Sequence, residues 1–153
     1  MNIEVVRVET PVGWFTAEVA DGAVRRAGFD EWGRPSPGAP GVLDALVAYF
    51  GGELDALGRI RVDVQGTSFQ ERVWKLLREI PPGQTRSYGD LADDLGVAGA
   101  ARAVGMANAS NPVGVIVPCH RVVRSTGAIG GYAGGVERKR WLLDHESRAR
   151  HLV

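Results

Sequence analysis

The hydrophobic pattern of this chain shifts at Gly66 from mostly strand-like to mostly helical, and that shift restricts the fold to a strand-rich first segment followed by a helical second one. Ile3 to Thr10 and Trp14 to Ala20 partly alternate apolar and polar residues, with Pro11-Val12-Gly13 between them. Asp21-Gly22 has the composition of a two-residue hairpin turn leading into Val24 to Phe29. Trp32 to Gly41 reads as a Pro/Gly loop, Val42 to Phe50 as a helix stopped by Gly51-Gly52, and Arg59 to Val64 as a returning strand. After Gly66 the apolar spacing becomes three to four. Ser68 with Glu71 has the spacing of a capping box, followed by the stripe Phe69, Val73, Leu76 and Leu77 and the stop Pro81-Pro82-Gly83. Ser87 with Asp90 starts a second helix carrying Leu91, Ala92 and Leu95. Gly96-Val97 separates it from an alanine-rich helix over Ala98 to Ala109, a pair that suits a helix-turn-helix. Asn111-Pro112 ends that helix and leads into an apolar strand, Val113 to Val117, and a last helix is expected from Val136 to His145. The expected class is α+β, divided into residues 1–66 and 67–153.

At 153 residues, with 44% hydrophobic and 24% charged, the chain can bury one good core or two small ones, which argues against disorder. The zero net charge conceals a division. Residues 1–66 hold 6 basic and 10 acidic residues and residues 67–153 hold 12 and 8, so the second part is the one expected to meet a polyanion. No apolar run approaches the roughly 20 residues needed to span a bilayer, and Met1-Asn2-Ile3-Glu4 lacks a signal-peptide pattern, so a cytoplasmic protein is expected with no membrane partner.

Cys119 is the one cysteine, which rules out an internal disulfide and any multi-cysteine zinc site. It stands in Pro118-Cys119-His120-Arg121, between the apolar run and the glycine-rich stretch Gly127 to Gly135. A solitary thiol beside a histidine is a candidate nucleophile. The plain alternative is a buried structural cysteine, and the neighbours argue against it. Residues 1–66 contain no catalytic constellation and read as a supporting segment.

From Thr67 to Glu146 the chain resembles the O6-alkylguanine-DNA alkyltransferase (methylated-DNA–protein-cysteine methyltransferase) family. The resemblance rests on Phe69-Gln70 with Val73-Trp74, Ile80-Pro81 with Gly83, Ser87-Tyr88, Arg102-Ala103-Val104-Gly105 and Asn111-Pro112. It continues through Pro118-Cys119-His120-Arg121-Val122, Gly131-Tyr132 with Gly134-Gly135, and Leu142-Leu143 with Glu146. It implies an amino-terminal ribonuclease-H-like antiparallel-sheet domain and a carboxy-terminal winged helix-turn-helix domain carrying the active site. It also implies a monomeric DNA-repair protein that moves an alkyl group from O6 of guanine in duplex DNA irreversibly to Cys119, with O4-alkylthymine as a second candidate lesion. His120 would activate the thiol through a water, and Glu146 would orient the imidazole. The Tyr132 hydroxyl would meet guanine N3, the Ala133 N–H would lie near O6 where many relatives have serine, and the carbonyls of Cys119 and Val122 would accept the guanine amino protons. Tyr88 would press on a phosphate, Arg102 would enter the base stack, and Ala100, Ala101, Ala103 and Gly105 would allow a close fit to the minor groove. Asn111 would tie the recognition helix to the cysteine loop, and Arg121 would serve phosphates. His145 is left structural. Some relatives carry a structural zinc in the first domain. This chain lacks the cysteines for it, so no metal and no cofactor is expected. Two rivals remain: a non-catalytic lesion-binding protein on the same fold, and a cysteine hydrolase using Cys119 and His120.

Overall fold

The computed structural model describes residues 2–36 and 38–151 (the backbone alone for 148–151). Strands β1 (Ile3–Thr10), β2 (Gly13–Ala20) and β3 (Ala23–Gly28) form an antiparallel sheet in that order. At the second hairpin Asp21 and Gly22 both have positive φ, 50° and 84°, the two-residue turn that matches strand twist. One sheet face carries Val6, Phe15, Ala17, Val19 and Val24 into the core. Helix α1 (Pro40–Phe50) lays Val42, Ala45, Leu46 and Tyr49 into the same core. A 3-10 turn, Leu54–Arg59, follows.

The helical half consists of α2 (Ser68–Leu77), α3 (Tyr88–Asp94), α4 (Ala101–Ala109) and α5 (Val136–His151). A second 3-10 turn, Cys119–Arg121, precedes α5, and two short strands, β4 (Arg86–Ser87) and β5 (Val122–Val123), pair in parallel. The indole N–H of Trp74 on α2 donates to the Ala107 carbonyl of α4 at 2.8 Å, fixing α2 against the helix pair. Gly66 permits that packing, since a Cβ there would lie 2.6 Å from the Trp74 ring.

Several boundaries differ from expectation. The α2 capping box sits one residue earlier. Thr67 Oγ1 accepts the Gln70 N–H at 3.1 Å and Gln70 Oε1 accepts the Thr67 N–H at 2.9 Å, because Thr67 holds the extended cap conformation and Ser68 is already helical. The Ser87–Asp90 box lies where its spacing places it. Helix α4 starts at Ala101, not Ala98, because Gly99 at φ 86° and the non-helical Ala100 hold the turn open. Helix α5 continues past His145 to His151.

Arg59 to Val64 is not a strand of the sheet. The first 3-10 turn consumes its start, and the rest meets β3 in a single parallel bridge of Val62 to Val24, with Val24 N–H donating to Arg61 O at 2.9 Å and Asp63 N–H to Val24 O at 2.8 Å. The rest of that β3 edge is taken by Val113, bridged to Ala27 with Ala27 N–H to Pro112 O at 3.0 Å and Gly114 N–H to Ala27 O at 2.9 Å. Val113 to Val117 is likewise not a strand. Val115 has φ 67°, and Val117 N–H returns to Val113 O at 3.0 Å, closing a turn. Its apolar run reflects complete burial, with Val113, Val115, Ile116 and Val117 all in the core. The backbone must turn there to leave the sheet edge and carry Cys119 into the helical half.

Candidate active site

Cys119, His120 and Arg121 occupy one buried 3-10 turn. The side chains diverge. His120 reaches α5, where its Nε2 lies 2.8 Å from Glu146 Oε2. A carboxylate only accepts, so Nε2 carries the hydrogen and Nδ1 keeps a free lone pair. Nδ1 is buried and makes no protein hydrogen bond.

Glu146 is fully buried and holds four hydrogen bonds. Arg121 grips it with Nε on Oε1 at 2.9 Å and Nη2 on Oε2 at 2.8 Å, and its Nη1 donates to Ile80 O at 2.6 Å. The assignment of Arg121 to DNA phosphates is therefore corrected: its side chain is buried and its guanidinium makes three hydrogen bonds inside the protein. The fourth donor, Tyr49 Oη at 2.7 Å from Oε2, comes from α1. Burial would raise the Glu146 carboxyl, but His120 and Arg121 outweigh it and hold it well below the ordinary carboxylate range.

Cys119 is buried, at 7% residue exposure. Burial pushes its pKa up, against the Asn111 side chain and the charge of Lys139. Burial pushes the His120 imidazole down, against Glu146. The resting pair at neutral pH is thus a thiol and a neutral imidazole.

Two polar residues, Asn108 and Lys139, escaped the sequence reading. Asn108 Nδ2 donates to Cys119 O at 3.3 Å, and Asn111 Nδ2 donates to Val117 O at 2.8 Å, so two asparagines bind the end of α4 to the cysteine loop. Lys139 is buried, its Nζ donating to Val122 O at 2.6 Å and Gly131 O at 3.2 Å, and burial lowers its pKa to about 8. The Val122 carbonyl assigned to guanine therefore already accepts one hydrogen bond. The spacing of Lys139, Leu142 and Glu146, all at zero exposure, places the lysine on the inward stripe of α5 and was a legible signal. Asn108 left no comparable signature.

A cavity of about 510 Å³ opens onto Cys119, with Tyr88, Tyr132, Ala133 and Asn111 on its walls. Arg26, Phe29 and Trp32 complete it from β3 and the loop beyond, so the first segment supplies part of the pocket and does more than support it. Arg26 stacks 4.2 Å over the Trp32 ring. Burial raises the Tyr132 pKa, with the Cys119 charge adding to it, so the phenol remains a donor. Arg102 and Ala103 are exposed on α4 beside Met106, which is 69% exposed, while Ala101 is half-buried. His145 packs on Trp141 at 4.7 Å with its Nε2 2.7 Å from Tyr49 O, a structural position. Among the described residues no group of three or more His, Cys, Asp or Glu could hold a metal ion, and no helix is long and apolar enough to cross a membrane.

A buried thiol on the wall of a cavity, next in sequence to a histidine held by Glu146 and beside a helix pair that exposes small residues of its second helix, marks the class: a DNA-binding protein with a nucleophilic cysteine. Known proteins of this kind match throughout. The family described as "6-O-methylguanine DNA methyltransferase, DNA binding domain" matches residues 68–148. The methylated-DNA–protein-cysteine methyltransferase of Mycobacterium tuberculosis is 56% identical over 117 residues, 75% of this chain and 70% of the relative. That of Shigella flexneri is 51% identical over 122 residues, 80% of this chain and 70% of the relative. A crystal structure of the M. tuberculosis O6-methylguanine methyltransferase superposes with TM-score 0.85 at 42% identity, covering 97% of this chain and 94% of that one. A structure of the M. tuberculosis protein in complex with DNA gives 0.86 at 43%, covering 95% and 94%. The chain belongs to the methylated-DNA–protein-cysteine methyltransferase family.

Proposed function

We propose that this protein repairs duplex DNA by moving the alkyl group of O6-alkylguanine to its own Cys119, once per molecule. The observation that carries this reading is the Cys119 thiol facing the cavity while His120 is held by Glu146. Sγ attacks the alkyl carbon, the carbon–O6 bond breaks, and its electron pair passes to guanine. The thiol proton travels through a water to the free Nδ1 of His120, where Glu146 stabilises the imidazolium. Tyr132 donates to the purine ring as it gains negative charge, with the Ala133 N–H directed at O6. The product is a thioether, and the chain has no second cysteine to attack it.

The target base must leave the duplex to enter this cavity, at a cost of a few kcal/mol. Exposed Arg102 on α4 is suited to fill the gap, and Tyr88 at the pocket mouth to press on the neighbouring phosphate. The complex of the M. tuberculosis relative with DNA supports a nucleic-acid partner. Asn111 and Asn108 connect α4 to the cysteine loop, linking DNA contact to the thiol. We assign residues 1–66 and 67–153 as the two structural segments, and the single thiol to the reducing cytoplasm of a monomeric protein. Intact-mass measurement and peptide mapping after incubation with O6-methylguanine duplex should show one added methyl group, on Cys119. Cys119→Ala should abolish transfer while keeping lesion binding. Transfer that survives the substitution, or unmodified protein after stoichiometric repair, would exclude the proposal.

A further inference from the structure

We infer that Tyr49, delivered by α1 from the sheet half of the molecule, is a positioning residue that sets how strongly Glu146 holds His120. Its hydroxyl donates at 2.7 Å to Glu146 Oε2, the same oxygen that His120 Nε2 approaches at 2.8 Å. The contact joins residues 97 apart in sequence, and the Tyr49 side chain is fully buried. The ring is fixed edge-on by Phe50 and His145, with centroids at 5.1 and 5.2 Å, and its carbonyl faces His145 Nε2. A phenol so placed is a neutral donor of constant geometry. Burial, then Glu146 itself, raises its pKa, so it keeps its proton throughout the range in which Cys119 and His120 titrate.

Three donors share Glu146 Oε2: Tyr49 from α1, Arg121 and His120 from the 3-10 turn. Each draws on the same negative charge. The Tyr49 bond reduces what remains for the imidazole and keeps His120 a weaker base than the carboxylate alone would make it. Among the described residues, the other charged or titratable groups facing this cluster are Lys139 and His145 from α5, Cys119 on the turn and Tyr132 from the glycine-rich loop. Tyr49→Phe leaves all of them in place and removes one hydroxyl. It concentrates the Glu146 charge on His120, favours imidazolium beside thiolate, and lowers the pH at which Cys119 ionises.

The inference rests on the proposed alkyl transfer for its meaning, but part of its test needs no DNA. Thiolate absorbance of the full chain should be titrated for wild type, Tyr49→Phe and Tyr49→Leu, alongside the pH profile of methyl transfer and the melting temperature. In Tyr49→Phe the thiolate midpoint should move down and the acid limb of transfer, set by protonation of His120, should move up, each by about 0.5–1 pH unit. Tyr49→Leu should show the same shift with a further loss of stability, because it also removes the ring. An unchanged thiolate midpoint in folded Tyr49→Phe, or a shift that follows melting temperature and not the hydroxyl, would overturn the inference. Failure of the wild type to accept a methyl group would instead sink the functional reading and leave the absorbance result standing.

Discussion

Replacing Arg121 with Met separates two accounts of one residue. In sequence it stands beside His120 in a basic segment and reads as a phosphate contact. In the structure its guanidinium makes two hydrogen bonds to Glu146 and one to Ile80 O, with 7% side-chain exposure. Methionine keeps most of the stem and deletes the charge. Glu146 would then be a buried carboxylate with only His120 and Tyr49 as donors. Removing one partner of a buried ion pair costs about 3–5 kcal/mol. For a chain of this size each kcal/mol moves the melting temperature by about 2–4 °C, so the melt should fall by roughly 6–20 °C. Neutralising both partners in Arg121→Met/Glu146→Gln should recover part of that loss, because no unpaired charge remains. Calorimetry reads the stability, and DNA affinity across a salt series reads the competing account. A phosphate contact would contribute about 0.9 to the log–log salt slope, and the folded variant should retain the wild-type slope. A melting temperature within about 2 °C of wild type, together with a reduced salt slope, would refute the reasoning.

Gly134→Ala should impair transfer without unfolding the protein. Its Cβ would lie 2.8 Å from Tyr132 Cε2 and 3.3 Å from Cδ2, so the ring must shift, and single-turnover methyl transfer should slow about ten- to a hundredfold; a wild-type rate would show that Tyr132 has slack. Glu146→Gln should flatten the acid limb of stability. The folded carboxyl lies below its unfolded value of about 4.3. Its contribution is therefore present above that pH and lost as pH falls towards the folded pKa. Urea midpoints should fall more steeply for wild type than for Glu146→Gln below about pH 4, and parallel curves would count against the assignment.

What was legible in the sequence was local. The Asp21-Gly22 turn, the Ser87–Asp90 capping box and the α1 stop at Gly51-Gly52 each depend on a few neighbouring residues, and each appears where expected. The Pro118 to Arg121 motif and Glu146 were legible through family resemblance. What failed was decided by distant partners. Val113 to Val117 has strand composition, but its backbone bonds go to β3 and back to itself. Arg59 to Val64 meets a β3 edge already shared with Val113. Arg121 is basic like its neighbours, and only the fold brings Glu146, 25 residues on, against it. Tyr49 belongs to an amphipathic helix that gave no hint of a polar destination, and Arg26 and Trp32 reach the cavity only because β3 runs alongside the cysteine loop.

The shared edge of β3 has a wider meaning. A three-stranded sheet ends in unpaired N–H and C=O groups, an invitation to pair with another chain. Here Val62 occupies one end and Val113 the other, and the second of these segments turns directly into the reactive thiol. The margin that could have made this protein sticky is thereby converted into a seam, stitching its sheet half to its helical half a few residues from the sulfur.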